Sequence, residues 1–291
     1  MSVAARLLAL VLLLGMTAGV FLAQDEVFVC PMDPDVRSSK EGSCVRCGMK
    51  LVSGIPDPTE YLMDLTVNPP APRPLQPVMF DFAIRDPWKN NIVTNFQIVH
   101  EKLFHMFVVS QDLKYFLHDH PVKQEDGTFR YKASLPSPGM YRVLGDFYPD
   151  GSTPQLITKT VFVPGTAPAP ISLTKDYSTK VDANLQVELV TDPPQPIAHT
   201  KTMMFFKVRS KDPNDKELGL EKLLGAWGHM LAASDDLIDM IHTHPFLADG
   251  GEDIQFNVIF PRTRTYRVWV QFQRKGVENT VYFDVPVEEL R

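Results

Sequence analysis

The sequence predicts a mainly β protein, with a small cysteine-rich segment followed by two tandem β-sandwich domains. Three observations lead there. Short β-rich runs recur from about Val78, separated by turn residues at intervals of roughly ten. A block of the first half is repeated in the second. All three cysteines lie together, between Cys30 and Cys47.

The runs of the first half include "VMFDFAI", "HMFVVS", "KYFLHDH", "TFRYKASL", "MYRVLGDFY" and "LITKTVFV". The repeat is carried by "HMFVVSQDLKYFLHDHP" from His105 and "HMLAASDDLIDMIHTHP" from His229. "LPSPGMYRVLGDF" from Leu135 then matches "FPRTRTYRVWVQF" from Phe260. Shared residues at fixed spacing over such lengths identify two homologous domains. Their expected bounds are 78–163 and 171–288, joined by a stiff linker at 164–170 ("PGTAPAP"). The stretch "DPNDKELGLEKLLGAW" in the second copy reads as a short helix. Residues 54–77, with seven prolines, read as a connector. The 25 prolines against 16 glycines favour chain reversals and edge strands over long helices.

The N-terminus sets the expected compartment. Arg6 precedes an apolar run from Leu7 that continues through Leu22, and polarity begins at Gln24, the layout of a secretory signal. Cleavage after Ala23 would put Phe21 where a small residue is preferred, so residues 1–23 are a signal peptide or an N-terminal anchor. No cysteine follows the run to suggest a lipoprotein. The expectation is a periplasmic or secreted protein whose one membrane contact would be that anchor. A net charge of −6 and the lack of a basic stripe exclude nucleic-acid binding.

Residues 26–53 read "VFVCPMDPDVRSSKEGSCVRCGMKLV" from Val27, with Cys30, Cys44 and Cys47 beside Met32 and Met49. An odd, tight cluster suits a metal site better than disulfide staples. Soft sulfur ligands on Pro and Gly turns fit Cu(I), Ag(I) or Zn(II). A disulfide with one free thiol is the plain alternative.

The histidines offer a second chemistry. A hairpin centred at 111.5 would place His105 opposite His118, with His120 two residues along on the same face. The same arithmetic gathers His229, His242 and His244, and puts Met240 beside His242. Three imidazoles suit Zn(II) or Cu(II), and an added thioether favours copper, so the second copy is expected to bind Cu(I) more tightly. Met106 and Met230 fall on the opposite, core face. His100 and His199 read as structural or exposed. Surface histidines without metal are the bland alternative.

The Cys-Pro-Met…Cys-x-x-Cys-Gly-Met segment resembles the heavy-metal-binding domain of copper and silver efflux pumps and their adaptors. Asp33 stands where that family has His, Glu41 where it has Pro before Gly42, and Val45 where it has Pro after Cys44. The whole arrangement is similar to bacterial exported proteins that join this motif to Ig-like β-domains bearing "HxHP", here "HDHP" and "HTHP". That resemblance implies metal handling in the cell envelope, with copper, Cu(I) or Cu(II), or zinc as cofactor. Envelope efflux components are the implied partners. No catalytic motif is found, and the expected activity is binding, with a metalloenzyme or a structural β-repeat protein as alternatives.

Overall fold

A computed structural model describes residues 27–33, 36–54 and 59–290. The expected signal or anchor, 1–23, lies outside the described residues. Every regular element among them is a strand.

The cysteine-rich segment carries β1 (Phe28–Val29), β2 (Arg37–Ser38) and β3 (Val52–Ser53), a three-stranded sheet in the order β2-β1-β3. The first sandwich follows with β4 (Leu62–Asn68), β5 (Pro77–Arg85), β6 (Phe104–Ser110), β7 (Phe116–Asp119), β8 (Val122–Lys123), β9 (Phe129–Ser134), β10 (Gly139–Phe147) and β11 (Gln155–Val163). One sheet runs β4-β5-β9-β8 and the other β11-β10-β6-β7.

The second sandwich holds β12 (Lys180–Val181), β13 (Leu185–Asp192), β14 (Lys201–Ser210), β15 (Leu220–Glu221), β16 (His229–Ser234), β17 (Met240–Thr243), β18 (Asp253–Ile259), β19 (Thr265–Arg274) and β20 (Val277–Pro286). Its sheets run β12-β13-β14-β18 and β15-β19-β16-β17, with β20 on β19. Strands β4, β5, β9 of the first copy thus match β13, β14, β18 of the second, and β7, β6, β10, β11 match β17, β16, β19, β20. The two copies share one strand order.

Two expectations need correction. The proline-rich connector 54–77 contains β4, whose Met63 is buried and whose Leu65 and Val67 face the core at alternate positions. A period-two pattern between prolines is enough for an edge strand, where Pro is tolerated. The expected helix at 212–227 is absent. Pro213, Gly219 and Gly225 interrupt it, both glycines have positive φ, and the chain instead lays β15 along β19.

Each sandwich buries its own core by the alternation expected of half-buried strands. Phe104, Met106 and Val108 of β6 face inward, as do Met230 and Ala232 of β16. The buried Tyr141 hydroxyl donates to the Ser137 carbonyl at 2.8 Å, and Tyr266 repeats the contact to Arg262 at 3.2 Å. Such corners pin the strand entering an Ig-like sandwich.

The other faces of β6 and β16 are buried too. Phe107, Val109, Leu113 and Leu144 of the first domain pack on Leu231, Ala233, Leu237 and Trp269 of the second. Facing sheets, related by an approximate two-fold, form one apolar interface. Arg267, in a two-bond ion pair with Asp284, donates across it to the Leu113 carbonyl at 2.9 Å. The histidines emerge at one end of this interface.

Candidate metal centres

The shared Ser-x-Asp-Leu of the repeat is a turn. Ser110 Oγ donates to Asp112 Oδ1 at 2.6 Å and accepts from Tyr115 N at 3.0 Å. Ser234 does the same with Asp236 and Asp239, at 2.6 and 2.9 Å. Leu113 and Leu237, both at positive φ, drop their side chains into the interdomain cluster. The loop spans residues 111–114, closed by Ser110 N to Tyr115 O at 3.1 Å.

That loop moves the hairpin centre by one residue from the expected 111.5. His118 pairs with Phe107 and His242 with Leu231, so the direct opposition of His105 to His118 and of His229 to His242 is not found. The displacement is even in register, so every side chain keeps its face. His105, His118 and His120 still bring ring nitrogens within 4.8 Å of one another, and so do His229, His242 and His244.

The two triads share one donor pattern. His105 Nδ1 lies 3.4 Å from His118 Nε2 and 3.1 Å from His120 Nε2. In the second copy His229 Nδ1, His242 Nε2 and His244 Nε2 are buried without a hydrogen-bond partner. Outer nitrogens are tied down in parallel. His105 Nε2 donates to the Val99 carbonyl at 3.1 Å, and His229 Nε2 to the Leu223 carbonyl at 2.9 Å. His118 Nδ1 donates to Gln271 Oε1 at 2.7 Å, and His242 Nδ1 to Asp146 Oδ2 at 2.5 Å. Hydrogen bonds on the outer nitrogens fix the tautomer that aims a lone pair inward, the arrangement of metal-ligating histidines.

Burial favours the neutral form of His105, His118, His120, His229 and His244. Desolvation, with the neighbouring imidazoles adding to it, lowers His105 to about 4 and His120 to about 3. His118, His229 and His244 go well below the ordinary value for the same reason. Neutral imidazoles need shed no proton to bind a cation. Three converging imidazole nitrogens suit copper or zinc.

Met240 lies on the His242 face, as its parity requires. The structure packs it against the interdomain apolar cluster alongside Phe116. Met106 and Met230 are in the cores. His199, with its N–H bonded to the Phe260 carbonyl at 2.8 Å, lies outside either triad. His100 was missed. It sits at positive φ in the tight turn after Val99, and its ring meets His244 at 3.8 Å between centroids. Burial lowers it to about 3, and its Nε2 has no partner. A lone histidine outside the repeat carries no periodic signal, and the second copy has Leu224 at that turn.

The cysteines converge. Cys30, Cys44, Cys47 and Asp33 bring ligand atoms within 4.8 Å of one another, and all three thiols are free. Cys30 Sγ is 3.4 Å from Cys47 Sγ, too far for a disulfide bond. The two share a proton, which lowers Cys30 to about 6 and pushes Cys47 up. Burial raises Cys44. Asp33, standing in for a histidine, points Oδ2 at Cys44 Sγ (3.5 Å) and binds Arg46 through Oδ1 (2.9 Å). Met49 is buried in this cluster and Met32 packs against it. The set is therefore three thiols and a carboxylate, which fits Zn(II) as well as softer ions.

This segment is docked on the sandwiches. Its cysteines pack on Val99 and Tyr148, and the Arg46 guanidinium lies 4.6 Å above the Phe246 ring. A cavity of about 500 Å³ separates Asp33 and Cys47 on one wall from His100, Trp227, His244 and Phe246 on the other.

A thiol cluster and two imidazole triads on tandem β-sandwiches define a metal-binding class of protein. Residues 27–53 match the Heavy metal binding domain (HMBD). Residues 59–163 and 179–289 each match the Domain of unknown function DUF8832, and since these spans make up most of the chain, it belongs to that family. No curated protein matches the chain. Among solved structures, the Yersinia pseudotuberculosis adhesin InvE is similar at 10% identity over 78% of this chain, with TM-score 0.25. The chain spans 60% of that structure's length. A two-domain fibronectin type III segment of chicken tenascin is 11% identical over 77% of this chain and 97% of its own, at TM-score 0.23. Likeness this low adds nothing to the topology described above.

Proposed function

We propose that this is an exported copper-binding protein, held in the periplasm or secreted, that takes up the ion on thiolates and imidazoles and stores it or passes it on. One observation carries this reading. Four of the six triad rings have their outer nitrogen hydrogen-bonded, and three nitrogens of the second triad are buried with nothing to bind. Leaving buried polar atoms unpaired costs about 1–3 kcal/mol each, and a cation on the three lone pairs removes that cost. The thiol cluster, the HMBD match and the secretory layout of residues 1–23 support the soft-metal and envelope parts of the reading. Binding and release need no catalytic base, and delivery to an envelope efflux component is the exchange we favour.

The test is the metal content of the full chain recovered from the periplasm of a copper-supplemented bacterium, by mass spectrometry. Copper is expected, reduced in a His105→Ala, His229→Ala double variant. Zinc alone would overturn the copper assignment. A metal-free chain, or one left in the cytoplasm, would overturn the function.

A further inference from the structure

The two triads are not independent sites carried on separate domains. His118 and His229, from opposite triads, are 5.2 Å apart between ring centroids. That is closer than His105 and His118 within the first triad (5.7 Å) or His229 and His242 within the second (6.1 Å). His105 lies 5.9 Å from His242 and 6.1 Å from His229. The Phe107 ring touches both sides, 4.2 Å from His118 and 4.6 Å from His242.

Each triad also depends on the other domain for orientation. Gln271 of β19 fixes His118 of the first sandwich, and Asp146 of β10 fixes His242 of the second. Asp146 and Gln271 are symmetry mates, since they pair with His105 and His229 respectively. Docking the sandwiches therefore completes both sites together.

The symmetry is broken at two places, and both favour the second triad. Asp146 gives it a buried carboxylate where Gln271 gives the first a neutral amide, and a carboxylate behind an imidazole strengthens that ligand toward a cation. His100 gives it a fourth imidazole in contact, whereas the equivalent turn of the second domain carries Leu224, which has no ring nitrogen to offer. We propose that the six histidines form one dinuclear metal centre at the domain interface, whose second-triad half fills first. This rests on the reading of the triads as metal sites.

The test uses the full chain with its thiolates first filled by one equivalent of Ag(I), which prefers sulfur and carries no unpaired spin. Cu(II) is then added and followed by electron paramagnetic resonance. One equivalent should give a single nitrogen-coordinated signal, and a second should broaden or quench it, because two spins so close interact. His118→Ala should keep the first signal and lose the second event; His242→Ala should lose the first signal. Asp146→Asn should mix the two halves from the first addition. Two additive signals without interaction would overturn the dinuclear centre, and an unchanged filling order in Asp146→Asn would overturn the assignment of the first half. A chain that binds no Cu(II) on nitrogen would instead overturn the metal-site reading of the triads.

Discussion

The two sandwiches share strand order, turn and histidine spacing, yet the surroundings of their triads differ. The first is backed by Gln271; the second is backed by Asp146 and faces His100, a position that is Leu224 in the equivalent turn of the second domain. Duplication supplied two equal sets of ligands, and what distinguishes them is donated by the opposite domain: the aligned pair Asp146 and Gln271 within the repeat, and His100 outside it. A comparison of the hairpins alone would call the sites equivalent. The interface makes them unequal.

The largest effect expected is on acid stability. Burial lowers His105 to about 4, His100 and His120 to about 3, and His118, His229 and His244 well below 6.5. Above pH 6.5 both folded and unfolded chains carry these rings neutral, so stability is fully present. As pH falls below 6.5 the unfolded chain takes up protons that the folded one refuses, and stability is lost until the folded values are reached. The slope is about 1.4 kcal/mol per pH unit for each such ring. Thermal melts of the metal-free chain should therefore collapse between pH 6.5 and 4, and His118→Asn should lower the slope by about one proton. A flat profile would mean the rings are open to water.

Next comes the interface that assembles both halves. Phe107→Ala should cost about 3–5 kcal/mol in urea unfolding, since a buried ring is lost with its stacking on His118 and its tilted contact with His242. Its symmetry mate Leu231 is equally buried but lacks the aromatic contacts, so Leu231→Ala should cost less and disturb Cu(II) binding less. Equal losses would show that the aromatic contacts contribute nothing.

The thiol site provides a contrast with both triads, because its fourth group is a carboxylate. Asp33→His should raise Cu(I) affinity relative to Zn(II), on the order of tenfold as for other changes around metal ligands. Competition with chelators for each ion measures it; an unchanged ratio would place Asp33 outside the coordination.

Much of this was legible in the sequence, for physical reasons that also mark where legibility ends. The repeat exposed the two homologous domains because a hairpin's turn and its ligands have fixed offsets along the chain. Parity placed three histidines on one face even though the loop is 111–114 rather than centred at 111.5, because an even displacement leaves faces unchanged. The strand β4 was hidden among prolines, which punctuate an edge strand as readily as a linker. Asp146, Gln271 and His100 were invisible as site residues. Their roles arise from packing one domain on another, and neither periodicity nor spacing encodes that.

The smallest effect expected concerns a difference between the copies that the sequence displays beside the ligands themselves. Met240 stands two residues before His242, and Phe116 holds the matching place in the first copy. A thioether beside three imidazoles would favour Cu(I). In the structure both side chains join the apolar patch between the sandwiches, and Phe116 lies against Trp269 at 5.0 Å, with ring planes 11° apart. The two positions are thus packing equivalents. Met240→Leu keeps volume and apolarity, so it should cost less than about 1.5 kcal/mol. Cu(I) affinity, titrated against a competing chelator, should be unchanged. A clear loss of affinity with unchanged stability would make Met240 a ligand after all, and the thioether would then join Asp146 and His100 in setting the second triad apart.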